Sequence, residues 1–216
     1  MKTERVVIKT THHESQGLLL IPDRKPRFGV ILAHGAGGNM HADFISYFHQ
    51  QIAQNGFACM KFNFPYSQAG RKSPDPQPVL IASYKKAIEA MPMDRVVIGG
   101  KSMGGRIASY VADDERVVGL LFLGYPLHPP GKPDQLRDQH LYSIRKPMFF
   151  ASGTKDPFAR MDLLKSTIAR IGKASTLHLI PEGGHSFEVP KNSGISKEQI
   201  YNRVLEAIIV WLDSMS

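Results

Sequence analysis

Two stretches of the chain, residues 28–33 and 117–123, are apolar at every position that is not glycine. A strand with one wet face alternates polar and apolar side chains, whereas an unbroken apolar run has neither face in water. Such strands belong to parallel sheets covered by helices on both sides, and the intervening segments supply those helices. Phe44, Ile45, Phe48 and Ile52 fall on one helical stripe that stops at Gly56, and Leu80, Tyr84, Ala87 and Ile88 fall on another. Strand and helix patterns alternate to the end of the chain, without a repeat or a change of composition. The reading is α/β: one domain over residues 1–216, a mainly parallel sheet of about eight strands flanked by helices, and no large cap domain.

The remaining elements follow the same logic. Residues 6–8 and 17–21 read as an N-terminal hairpin with its turn around His13, Glu14 and Ser15. Residues 57–64 read as a strand broken by Pro65, with Cys59 a small core residue, and 67–78 as a surface loop. Strands are expected at 96–98, 148–151 and 176–180, and helices at 161–171 and 197–215. A proline-rich excursion over 125–144 is too long for an ordinary connection and reads as a lid-like loop.

Charge and cysteine content remove several function classes. The net charge of +8 comes from basic residues scattered in short groups, so no nucleic-acid partner is expected. No apolar run approaches the roughly 20 residues of a membrane helix. The first residues, Met1 to Arg5, lack the apolar core of a signal peptide, so the expected location is cytoplasmic with no membrane partner. A single cysteine excludes an internal disulfide and a multi-cysteine metal site. No metal or organic cofactor is expected.

Chemistry enters at the stretch from Arg95 to Ile107. A short apolar run leads into Gly100-Lys101-Ser102-Met103-Gly104, and a helical pattern starts just after. This G-x-S-x-G spacing puts a serine at a sharp strand-to-helix turn, where glycines admit the chain segments crowding it. Three more stretches, 34–38, 153–156 and 183–185, also follow predicted strands. In parallel sheets ligands bind at the carboxyl ends of the strands, where all four stretches meet. A serine needs a base, and the base needs a carboxylate to orient it. Ser102, Asp156 and His185 occur in that chain order, each after a different strand. Donors for a developing oxyanion are expected from the Met103 N–H and from the glycine-rich turn, at Ala36 with Gly37 as the alternative. The turn has neither the spacing of a phosphate loop nor that of a dinucleotide fingerprint. His34 is expected to brace the turn. Lys101, Arg137 and His140 either favour an anionic acyl group or face solvent and brace their loops.

The motifs His34-Gly35-Ala36-Gly37-Gly38, Gly100 to Arg106, Gly153 to Phe158 and Gly184-His185-Ser186-Phe187 together resemble the serine-nucleophile α/β-hydrolase superfamily. More narrowly they resemble its small dienelactone-hydrolase-like branch, with the testis-expressed and KANSL-type hydrolase-like proteins. The resemblance implies a serine hydrolase of small or medium carboxylic esters or thioesters, with Ser102, His185 and Asp156 as triad. Dienelactone hydrolases proper use cysteine where this chain has Ser102, so lactone cleavage is not implied. Some KANSL-type relatives are subunits of larger assemblies, which leaves an interaction subunit without turnover as the alternative.

Overall fold

The computed structural model describes residues 1–215. Its eight strands are β1 (Lys2–Lys9), β2 (Glu14–Ile21), β3 (Gly29–Ala33), β4 (Ala58–Phe62), β5 (Val96–Lys101), β6 (Val117–Leu123), β7 (Met148–Gly153) and β8 (Ser175–Ile180). They form one sheet in the order β1-β2-β4-β3-β5-β6-β7-β8. Only the β1–β2 and β2–β4 pairings are antiparallel; from β4 to β8 every neighbour runs parallel. The helices are α1 (Asp43–Gln54), the single turn α2 (Pro65–Gln68), α3 (Gln77–Ala90), α4 (Met103–Ser109), α5 (Met161–Ile171) and α6 (Lys197–Asp213). None is long and apolar enough to cross a membrane among the described residues.

The unbroken apolar strands work as expected, with successive side chains entering opposite layers. Ile31, Met60, Ile98, Phe122 and Phe150 pack under α3, α4 and α5. Their neighbours Val30, Cys59, Val97, Leu121 and Phe149 pack under α1 and α6. The last helix is closed at its start by a reciprocal cap: Ser196 Oγ accepts from the Gln199 N–H, and the Gln199 side chain accepts from the Ser196 N–H.

Two expectations are corrected. The β1–β2 turn lies at residues 10–13, because Glu14 and Ser15 already pair with Lys9 and Ile8. The Thr10 hydroxyl closes it, donating to the His13 carbonyl and accepting from the His13 N–H. The 67–78 stretch is not wholly surface loop: α2 runs into it, and Asp75 is drawn in to accept from the Tyr66 N–H at 2.7 Å.

The excursion after β6 lies against the sheet end. Tyr125, Leu127 and His128 are buried. His128 Nε2 accepts from the Arg160 N–H at 2.9 Å, which fixes its other nitrogen as the donor to the Pro129 carbonyl.

Tyr84 ties α3 to the centre of the sheet. Its buried hydroxyl accepts from the Gly99 N–H at 2.8 Å and lies within donating distance of the Gly99 and Ile31 carbonyls. Tyr84→Phe removes the hydroxyl from this buried cluster of backbone groups, so it is expected to cost about 1–3 kcal/mol, read as a lowered urea midpoint. An unchanged midpoint would mean the hydroxyl is not a structural tie.

Candidate active site

β5 ends at Lys101 and α4 begins at Met103, which leaves Ser102 alone at the junction with φ 51° and ψ −116°. A side chain held there costs on the order of 1–3 kcal/mol, so the surroundings must impose it. A Cβ on Gly100, whose φ is +145°, would lie 2.1 Å from the Ala33 carbonyl oxygen, and one on Gly104 would lie 2.3 Å from the same atom. The start of α4 therefore lies directly on the end of β3. Ser102 is fastened on both sides: its N–H donates to the Leu123 carbonyl at 3.1 Å and its carbonyl accepts from the Arg106 N–H at 3.0 Å.

The loop after β8 brings His185 over this turn. His185 Nε2 lies 2.8 Å from Ser102 Oγ, and Nδ1 lies 2.8 Å from Asp156 Oδ2. The Asp156 side chain is wholly buried, and its other oxygen accepts from the Phe158 N–H at 2.8 Å. A buried carboxylate needs such partners. By holding Nδ1–H it leaves Nε2 as an acceptor toward the serine hydroxyl. The Phe158 ring covers the imidazole at 4.3 Å between centroids. Ser102, Asp156 and His185, singled out in the sequence from three separate strand ends, form one continuous hydrogen-bonded chain.

Ser102 opens onto a recess of about 240 Å³. Ala36 and Met103 line it; Gly37 does not. As the first residue of α4, Met103 has an N–H outside the helical ladder. His34 stays out of the recess. Its Nε2 accepts from the Phe64 N–H at 3.2 Å, so Nδ1 donates to the Gly35 carbonyl at 2.9 Å, and burial holds its pKa down at about 4. It braces the turn as a neutral ring.

The three basic residues separate. Lys101 is buried, and its Nζ donates to the His185 carbonyl at 2.7 Å and lies 5.5 Å from the centre of the Phe44 ring. Burial depresses its pKa to about 8 against the opposing pull of Asp156 and Glu188. It braces the histidine loop and is not among the recess residues. His140 also turns away, stacking on Tyr110 at 4.2 Å, with Nε2 2.7 Å from Ser109 Oγ. Arg137 does line the recess, together with Arg106, which sequence reading passed over. The available signal was its spacing: four residues after Ser102 on a helix is one turn along the same face.

A family model described as an alpha/beta hydrolase domain matches residues 26–213. Among solved structures, the chain resembles an alpha-beta serine hydrolase homologue from Coxiella burnetii (16% identity, 98% of each chain covered, TM-score 0.76). It also resembles the dienelactone hydrolase of Anabaena variabilis (19% identity, 99% of this chain and 97% of that one, TM-score 0.74). The esterase domain of a Rhodothermus marinus protein is similar too (14% identity, 98% of each chain, TM-score 0.72). Identities this low speak for a shared fold, and the match along most of the sequence speaks for descent: the chain belongs to the alpha/beta hydrolase domain family.

Proposed function

We propose that the protein is a serine hydrolase that cleaves small or medium carboxylic esters or thioesters through an acyl-enzyme on Ser102. The observation that carries this reading is the unbroken run of 2.8 Å contacts from buried Asp156 through His185 to a serine in a strained conformation. A serine that only capped a helix would need neither the strain nor the buried carboxylate. The names of the similar proteins, which include a serine hydrolase homologue and an esterase domain, point the same way.

In this mechanism Ser102 Oγ attacks the carbonyl carbon while its proton passes to His185 Nε2. Asp156, acceptor to Nδ1–H, steadies the imidazolium. The oxyanion is stabilised by the N–H of Met103, with that of Ala36 as the second donor. As the tetrahedral adduct collapses, His185 returns the proton to the departing alcohol or thiol. Water then attacks the acyl-serine, giving its proton to His185, and the second collapse frees the acid and restores the serine hydroxyl. No step calls on a cofactor.

A neutral fluorophosphonate is expected to label the protein once, at Ser102, and the label is lost in Ser102→Ala. Fully buried Cys59, its thiol pKa pushed up by burial, stays unmodified. Mass spectrometry of the labelled peptide gives the answer; no label on folded protein overturns the proposal. On any ester turned over, Ser102→Ala and His185→Ala each cost roughly 10³–10⁶ in kcat, and the double variant little more. Additive losses would mean that the two side chains act separately.

Lys101 gives a pH signature. Its charge is held between the His185 carbonyl, the Phe44 ring, Asp156 and Glu188. Raising the pH through about 8 removes that charge and weakens the brace, so kcat/KM falls there in the wild type, while Lys101→Met is slower and lacks this alkaline limb. Stability moves the other way. The folded pKa is below the ordinary 10.5, so between about 8 and 10.5 the unfolded chain binds the extra proton, and the wild type gains stability over Lys101→Met as pH rises. Identical pH profiles for the two proteins would remove the positioning role.

A further inference from the structure

The recess at Ser102 holds two arginines, Arg106 and Arg137, with no acid assigned to either. Among the described residues no ion pair includes them. The Arg106 Nε is buried without an acceptor, and its Nη1 reaches only the Gln77 side-chain oxygen at 3.5 Å. Asp75 lines the same recess, but Arg71 at 2.6 Å and the Tyr66 N–H at 2.7 Å already take its two oxygens. Two arginines thus line one small space. Arg137 responds to this crowding: burial and the Arg106 charge together push its pKa down. Like charges in a partly dry recess raise the free energy of the empty protein, and a bound anion relieves it.

The backbone under both arginines is pinned. Arg106 lies one helical turn beyond Ser102, its N–H donating to the Ser102 carbonyl at 3.0 Å. Arg137 sits in the 125–144 excursion, where its N–H donates to the Leu127 carbonyl at 2.8 Å and its carbonyl accepts from the buried Tyr125 hydroxyl at 2.8 Å. A loop residue whose two backbone groups are both fastened, and whose charged side chain has no ion-pair partner among the described residues, is already organised for a ligand. Guanidinium groups favour planar oxyanions because they offer paired N–H donors.

We propose that this recess is an anion subsite, and that the preferred substrates are esters or thioesters of small acids carrying a second, free carboxylate on the acyl side. Arg106 and Arg137 hold that carboxylate while Ser102 attacks the esterified one. The proposal rests on the hydrolase reading of Ser102. A volume of about 240 Å³ lies below the usual range for drug-sized ligands and suits a short acyl chain.

A matched pair of substrates tests it: the mono-p-nitrophenyl ester of fumaric acid and p-nitrophenyl crotonate. They differ by a carboxylate in place of a methyl group, and the trans double bond keeps that carboxylate from attacking its own ester. The wild type is expected to prefer the fumarate ester in kcat/KM. That preference should fall about ten- to a hundredfold in Arg106→Gln and in Arg137→Gln, mainly through KM, as expected for losing a charged hydrogen bond. Arg106→Lys, which keeps the charge, should restore part of it. A preference for crotonate, or a ratio that stays within about threefold in both glutamine variants, overturns the subsite. Calorimetry of fumarate with the Ser102→Ala protein gives a second readout without turnover: binding is expected, and is lost when either arginine is also replaced. Phosphonate labelling at Ser102 with no charge preference would sink the subsite and leave the hydrolase. Arginine-dependent fumarate binding without labelling would do the reverse.

Discussion

The carbonyl oxygen of Ala33 fixes how near α4 can come to the sheet. Gly100 and Gly104 approach it so closely that a methyl group on either would sit inside contact distance. Because the helix begins this close to β3, the chain must reverse within one residue, and that residue is Ser102, driven to positive φ. The strain is thus a product of packing in the layer beneath the site, and the hydroxyl is raised without flexible support. The same closeness puts Ala36, just beyond the end of β3, beside Met103 at the rim of one recess. A single backbone atom therefore links the position of the Ser102 hydroxyl to that of the proposed oxyanion donors.

The other half of the site is held from the opposite direction. Asp156, three residues beyond the end of β7, has a wholly buried side chain, and a buried carboxylate with its lone pairs unmet would be costly. The imidazole and the Phe158 N–H meet them. Beneath the histidine, Lys101 fixes the backbone carbonyl of the same residue. His185 is consequently held at its ring by a carboxylate and at its backbone by an ammonium group, the latter contributed by the residue just before Ser102. His185 and Ser102 share a support, and displacement of one disturbs the other.

Much of this was legible in the residue order. Unbroken apolar runs required a sheet covered on both faces, and glycine-rich or polar stretches following them marked the strand ends where Ser102, Asp156 and His185 meet. What the sequence could not carry was side-chain direction at short range. Lys101 and Arg137 look equivalent as basic residues near a serine, yet a strand residue at 101 points under the histidine loop and a loop residue at 137 points into the recess. Arg106 was overlooked because it lay inside a motif read for its glycines. The hairpin turn moved to residues 10–13 because a threonine hydroxyl closes it, a local bond that competes invisibly with strand pairing.

The excursion that bears Arg137 is anchored to the body through buried Leu127, through His128, which accepts from the Arg160 N–H, and through His140, which bonds to Ser109 and stacks on Tyr110; none of these belongs to the Ser102–His185–Asp156 chain. One part of the recess wall, Arg137, is therefore carried by a segment separate from the groups that would break the bond, while Arg106 shares α4 with the Ser102 turn. A changed residue 137, or a loop of different length between β6 and β7, alters the lining of the recess while β5, β7 and β8 keep their ends in register. Part of the lining in such a molecule is modular: it can drift, or be redesigned, by exchanging one segment of surface chain without rebuilding the strand ends below it.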